Sequence, residues 1–427
     1  MRGILASAGY VPFRRLQRSA IREVMGSGGG KGTRSVASFD EDTTTMAVEA
    51  ARNLGPLAKP GSLWFSTAEP AYLDKTNANA VHTALRLDDD VAAMDVGGAI
   101  RSGIGALKAA LESNGTILVV SSDMRTGLPT STDESQGGDA AAAALVGDGD
   151  VVAEYLGGAS ATREFLERWR MPGDKRSKTW EDRFGESMYA PLAEQAWTDA
   201  LKKADVTEID VLCVAGMHAR SVRRVSKRLG VARTIDLSQN VGDTGTAQAM
   251  LLLANALEST EPDQTVAVVS LADGADVLVF RTTKQARPKR TVEAQIASAT
   301  DVPYSRFLSW RGMVHPEPPN RPEPARVSAP AALRGSDWKF GFELDDRGFA
   351  DVQGTIATFT VDRLAYSPSP PIVFAIVDFD GEGRFPLEMT DVDADQLKVG
   401  DRVEMTFRKL STADGIHNYF WKAKPVR

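Results

Sequence analysis

The chain has 427 residues, a formal net charge of −7, a hydrophobic fraction of 42% and a charged fraction of 25%. This size suits two or three domains, and the acidic balance argues against a broad nucleic-acid or anionic-membrane surface. The single cysteine excludes a disulfide framework and a cysteine-built zinc site.

The opening MRGILASAGYVPFRR has a short apolar run broken by glycine and proline. It is too short for a signal peptide, and no later run reaches the ~18 apolar residues of a span. The expected location is the cytoplasm. Residues 1–281 then alternate helix-like and strand-like segments. In chain order the pattern predicts a helix over Thr44–Leu54, strand GSLWFST, helices over Ala78–Leu85 and Gly103–Glu112, and strands GTILVVSS and AAAAALVG. It continues with a helix over Ala190–Lys203, strand IDVLCVAG, helices over Ala219–Leu229 and Thr246–Glu258, and strands TVAVVSLA and ADVLVFR. Such alternation indicates α/β layering. Strands apolar throughout fit a sheet covered on both faces.

Two blocks repeat. AMDVGGAIRSGIGALKAALES (93–113) and TIDLSQNVGDTGTAQAMLLLANALES (234–259) each pass from an apolar segment through a glycine-rich turn into a helix of small residues. Each leads to an apolar run, TILVVSSD or TVAVVSLAD. A duplicated strand–turn–helix–strand unit implies an internally two-fold domain. Residues 282–337, which include HPEPPNRPEPARVSAPAALR, read as a proline-rich extended connector. From Trp338 to Arg427 five strand candidates are separated by Gly, Pro and Asp turns, which suggests an OB-type barrel.

Four segments of the first domain resemble 3-hydroxy-3-methylglutaryl-CoA (HMG-CoA) synthase and its relative β-ketoacyl-ACP synthase III, of the thiolase superfamily. They are KGTRSVASFDEDTTTMAVEAAR, DVGGAIRSGIGAL, VAGMHARSVRRVSKRLG and VGDTGTAQAMLLLANALE, in the family's order. The tail resembles the OB-fold domain that accompanies thiolase-like proteins handling acyl-CoA. WKFGFELDDRGFADVQG carries no cysteine, so that family's zinc ribbon is absent and no metal is expected. The resemblance implies a five-layered α-β-α-β-α domain, a CoA thioester as substrate, and a homodimer. It leaves room for a thiolase-like protein partner docked through the barrel.

The family's nucleophile is a cysteine at a buried helix N-terminus, where the dipole and backbone N–H groups activate it. Aligning Ala106–Leu107 puts Ile100 there. Ser102 has no identified base, and Cys213 lies in an apolar strand, where a free thiol is buried and inert. His218 matches the family histidine and suits a hydrogen-bond donor or general acid/base; the other reading is a structural histidine in a retired site. Asp243 stands where the family has asparagine. A carboxylate cannot donate to an enolate, so it orients His218 as in a triad, acts as base, or caps a helix. Glu69 lies one residue beyond the synthase's glutamate position, and Tyr72 is a second candidate acid or a packing residue. GSGGGKGTR fails phosphate-loop spacing. Lys31, Arg34, Arg223 and Arg224 are candidates for the CoA phosphates; the basic run after His218 also reads as a solvated helix face. The expected activity is making or breaking a C–C bond beside a CoA thioester without an acyl-cysteine. The alternative is a non-catalytic, acyl-CoA-handling scaffold for a cysteine-bearing thiolase.

Overall fold

A computed structural model describes every residue except 57, 175, 318–336, 345 and 382. Among the described residues one mixed sheet has ten strands. Its first half comprises β1 (Arg2–Tyr10), β2 (Ser62–Ser66), β3 (Ala92–Asp95), β4 (Ile117–Asp123) and β5 (Ala140–Asp148), ordered β3-β2-β4-β5-β1. Its second half comprises β6 (Ala153–Thr162), β7 (Val211–Gly216), β8 (Arg233–Ile235), β9 (Thr265–Leu271) and β10 (Gly274–Thr282), ordered β8-β7-β9-β10-β6. Parallel pairs β2–β3 and β2–β4 and antiparallel pairs β4–β5 and β5–β1 recur as β7–β8, β7–β9, β9–β10 and β10–β6. The duplication therefore extends beyond the two similar blocks to whole halves. The halves join where β1 meets β6 antiparallel, Gly3 opposite Glu154.

The helices complete the layers. α1 (Thr43–Asn53) covers β1, β4 and β5, and α4 (Asp182–Ala204) covers β6 and β10. α3 (Ser102–Glu112) and α6 (Gln248–Ser259) lie between the halves, with α6 against β1 and β5 on one side and β7 and β9 on the other. Every residue of α6 from Gln248 to Leu257 is buried, as expected of a helix covered all round. The duplicated turns touch at Gly103, where a Cβ would lie 2.1 Å from the Thr246 carbonyl oxygen. Two further helices, α2 (Ala78–Ala84) and α5 (Ala219–Leu229), pack beside α1 and α4.

The expected connector from 282 is not extended at its start. α7 (Val292–Ala297) and α8 (Tyr304–Trp310) pack onto the first domain. Gln295 accepts from Val11 N at 2.8 Å and donates to Gly9 O at 3.0 Å. Phe307 and Leu308 are buried in a cluster with Leu16, Ile21 and Val36. The apolar side chains of this stretch need burial, which an exposed connector cannot provide. Most of the proline-rich stretch lies outside the described residues.

The five C-terminal strand candidates all form: β11 (Gly354–Asp362), β12 (Ile372–Phe379), β13 (Arg384–Glu388), β14 (Arg402–Ala413) and β15 (Ile416–Pro425). Their order is β13-β12-β11-β14-β15, and a Met389–Ala423 bridge brings the two edges together. Phe342 lies inside, against Phe349, Phe379, Phe385 and Phe420. The barrel docks on the acidic run that precedes α1. Asp40 pairs with Lys422 at 2.9 Å, Glu41 with Arg408, and Asp42 accepts from the Tyr419 hydroxyl at 2.8 Å. Arg408, fully buried, also pairs with Asp391 at 2.7 Å.

Candidate active site

Ile100 lies in the turn before α3 and borders a cavity of about 490 Å³, together with Glu69, Arg125, Glu167, Tyr189 and Asp273. Ser102 gives its hydroxyl to Gly97 O at 3.2 Å. Cys213 is fully buried, and burial pushes its thiol up to about 12, so it is inert at neutral pH.

A second hollow, a groove of about 920 Å³, is lined by Lys31, Arg223, Lys227, Asp243 and Gln248. Met217 borders both spaces. α5 supplies two of the groove's cations through its four-residue periodicity. Arg220, Arg224 and Arg228 point to α4, pairing with Glu186 or Glu194. Arg223 and Lys227 fall on the other side and line the groove.

Several expected site residues are placed elsewhere. Arg34 is fully buried, donates to Glu134 O at 2.6 Å and Arg125 O at 2.8 Å, and pairs with Asp139 at 3.2 Å. It braces the 125–139 segment and cannot reach a CoA phosphate. Arg224 is held by Glu186 at 2.9 Å on the α4 side. The Tyr72 hydroxyl accepts from His417 N at 2.7 Å, so Tyr72 belongs to the barrel contact. Glu69 stays at the cavity rim, its carboxylate paired with Arg170.

His218 caps α5. Its Nδ1 accepts from Ser221 N at 3.1 Å and lies 2.7 Å from the Ser221 hydroxyl. Because a backbone N–H donates to Nδ1, the neutral ring carries its proton on Nε2. His218 is 7% exposed, and Nε2 is buried without a hydrogen-bond partner. The triad reading of Asp243 fails, because Nδ1 of His218 accepts from Ser221 N and Nε2 has no hydrogen-bond partner, so Asp243 holds neither nitrogen. The cap reading fails too: Ala247 is the N-cap of α6, and Asp243 Oδ1 accepts from Gly245 N at 2.9 Å in a local turn. Asp243 N donates to Gln136 O and Gly138 N donates to Asp243 O, both at 2.8 Å, which fixes Asp243 in the groove wall. Burial raises its carboxyl above the usual range, against Gly245 N–H, Arg125 and Arg168.

Sequence reasoning missed Glu167, Arg125, Arg168 and Asp123. Arg168 makes a two-pronged contact with Asp133 at 2.7 and 3.0 Å, anchoring the short strand Arg168–Trp169. Glu167 is 5% exposed, and its Oε2 lies 3.5 Å from the Tyr189 hydroxyl. Burial pushes its carboxyl up; Arg168 and His218 oppose and Asp273 adds to the rise. Asp123, fully buried, accepts from Thr246 N and Oγ at 3.0 Å and pairs with Arg125 at 3.2 Å, clamping the duplicated turn to β4.

A duplicated five-layer domain with a cavity at the start of α3 and a basic groove beside it is a thiolase-like fold, here followed by a C-terminal OB-fold domain. Residues 349–408 match the family model "ChsH2, C-terminal OB-fold domain". The first domain is HMG-CoA synthase-like. The chain is 27% identical over 349 residues to the hydroxymethylglutaryl-CoA synthase of Methanobrevibacter smithii, covering 74% of this chain and 99% of that one. A crystal structure of HMG-CoA synthase complexed with CoA superposes with a TM-score of 0.62 at 17% identity, over 72% of this chain and 89% of that one. 3-Oxoacyl-[acyl-carrier-protein] synthase III from Aquifex aeolicus gives 0.58 at 16% identity, over 66% and 100%.

Proposed function

We propose that the chain binds an acyl-CoA in the basic groove, with Lys31 and Arg223 at the CoA phosphates. The thioester passes Met217 into the Ile100 cavity. There a C–C bond beside the thioester carbonyl is made or broken, in aldol or Claisen fashion, with no acyl-cysteine intermediate. One observation carries this reading: Met217 borders both the groove that offers cations and the cavity that opens on Ile100. Ile100 offers no nucleophile, whereas Glu167 at the cavity wall and His218 behind it are the kind of buried acid/base groups that the proton transfers of aldol chemistry require. Homodimerisation and a thiolase-like partner belong to the same proposal.

A second reading, an acyl-CoA-handling scaffold for a cysteine-bearing thiolase, is favoured by two departures near one site, Ile100 and Asp243. The test incubates the purified chain with acetyl-CoA and acetoacetyl-CoA, alone and with such a thiolase. Condensation or cleavage product from the chain alone, without a protein-bound acyl group, supports the first reading. Product only with the thiolase supports the second, and an acylated chain contradicts the non-covalent route.

A further inference from the structure

His218 is not at the cavity wall. It lines neither the cavity nor the groove, its Nδ1 is committed to Ser221, and its Nε2 is buried with no partner. Glu167 does line the cavity. The two side chains border one gap, which Gly185 of α4 holds open. A Cβ at Gly185 would lie 2.9 Å from Glu167 Cγ and 2.9 Å from His218 Nε2. Tyr189, on the next turn of α4, flanks both: its hydroxyl is 3.5 Å from Glu167 Oε2 and its ring centroid 6.1 Å from that of His218. The Glu167 backbone is fixed by Trp180 N, which donates to Glu167 O at 2.7 Å.

We infer that Glu167 is the catalytic acid/base of this cavity, and that His218 is a positioning residue acting on the substrate only through Glu167. The inference rests on the acyl-CoA reading above and deepens it. In the forward direction the Glu167 carboxylate takes a proton from the carbon beside the thioester. The C–H electron pair becomes the enolate double bond, and the carbonyl π pair moves to the thioester oxygen, on the cavity side that carries Arg125. The enolate carbon then bonds to a second carbonyl carbon. The proton on Glu167 returns to the resulting alkoxide, so protons and charge balance without a further reactant. The reverse sequence is a retro-aldol cleavage. Nε2–H of His218 has no partner in the structure, and a turn of the Glu167 carboxyl into the gap beside Gly185 would give it one and fix the carboxylate.

Arg168, His218, Asp273 and Tyr189 act most strongly on Glu167, and Glu69, Arg125 and Arg170 line the same cavity. His218 favours the ionised carboxylate, so its removal raises the pH at which Glu167 becomes a base.

The test follows exchange of the α-protons of acetyl-CoA in D2O by NMR, with acetyl-CoA binding measured on each protein. Glu167→Gln, of equal size, is expected to bind acetyl-CoA and to lose exchange by about 100-fold or more. Glu167→Asp retains part of it. His218→Ala lowers exchange and moves its acidic limb to higher pH. Exchange undiminished in Glu167→Gln overturns the Glu167 role while leaving the acyl-CoA reading intact. An unshifted profile in His218→Ala overturns the positioning role. Binding without any exchange in the unsubstituted chain overturns the proton-abstraction reading itself.

Discussion

Ser221 N donates to Nδ1 of His218 at 3.1 Å, and the Ser221 hydroxyl lies 2.7 Å from the same nitrogen. Both atoms come from the first turn of α5, so the helix start sets the ring's tautomer. Ser221→Ala removes the hydroxyl and keeps the N–H. At about 1 kcal/mol for the lost bond, α-proton exchange should fall several-fold with little change in melting temperature. The imidazole 15N shifts should still report a proton on Nε2, but with a minor population of the other form.

Ile100→Cys tests whether the start of α3 still suits a nucleophile. A thiol there meets the helix N-terminus, which favours thiolate. The variant should carry an acetyl group in intact-mass analysis after exposure to acetyl-CoA, and the unsubstituted chain should not. The smaller side chain also enlarges the cavity, so some loss of stability accompanies the gain.

Arg408→Met tests the barrel contact. Arg408 is fully buried between Glu41 and Asp391, with Asp40 also attracting it. Removing the cation leaves buried carboxylates uncompensated, a change that costs about 3–5 kcal/mol. Urea unfolding should show that loss. Restoration of stability on adding Glu41→Gln would confirm that the surplus negative charge is responsible.

Glu49 of α1 makes the same contact pH-dependent. Burial alone would raise its carboxyl, but Lys424, Arg52 and Arg408 outweigh that and hold it at about 2, against an ordinary 4.5. A carboxyl depressed in the folded state stabilises above its unfolded value and loses that contribution as pH falls through the folded one. Stability should therefore drop between about pH 4.5 and 2, on the order of a few kcal/mol. Denaturant unfolding of Glu49→Gln should show a flatter profile across this range.

The layered fold was legible because its strands are apolar throughout and its central helices are rich in small residues. β1 and β6 were not. RGILASAGY and AEYLGGASAT mix glycine, alanine and polar residues, and they become strands because they pair at the seam between the halves. α4 begins at Asp182 rather than Ala190: Pro191 reads as a boundary, yet the preceding turns are held by Phe184 and Tyr189 against Phe165. The acidic run before α1 was recognisable by resemblance, but its work here was not. Asp40, Glu41 and Asp42 meet Lys422, Arg408 and Tyr419 from the far end of the chain.

The site was legible only in part, for a related reason. His218, Ile100 and Asp243 sit in turns that a pattern can find. Glu167 sits in TREFLERWRMPGDK, a charged stretch that reads as a solvated loop. Its burial depends on Arg168 reaching Asp133 and on α4 crossing behind it. The available signal was the interleaving of Phe165, Leu166 and Trp169 with those charges, unusual for an exposed loop.

Activation of an acyl-CoA by proton transfer, without a covalent intermediate, is what separates the proposed chemistry from acyl-cysteine catalysis. The most direct measurement follows deuterium uptake at the α-carbon of acetyl-CoA in D2O while recording the intact mass of the unsubstituted chain in the same sample. The expected result is uptake with the protein mass unchanged. Uptake accompanied by an acetylated chain, or bound acetyl-CoA with no uptake, would contradict it.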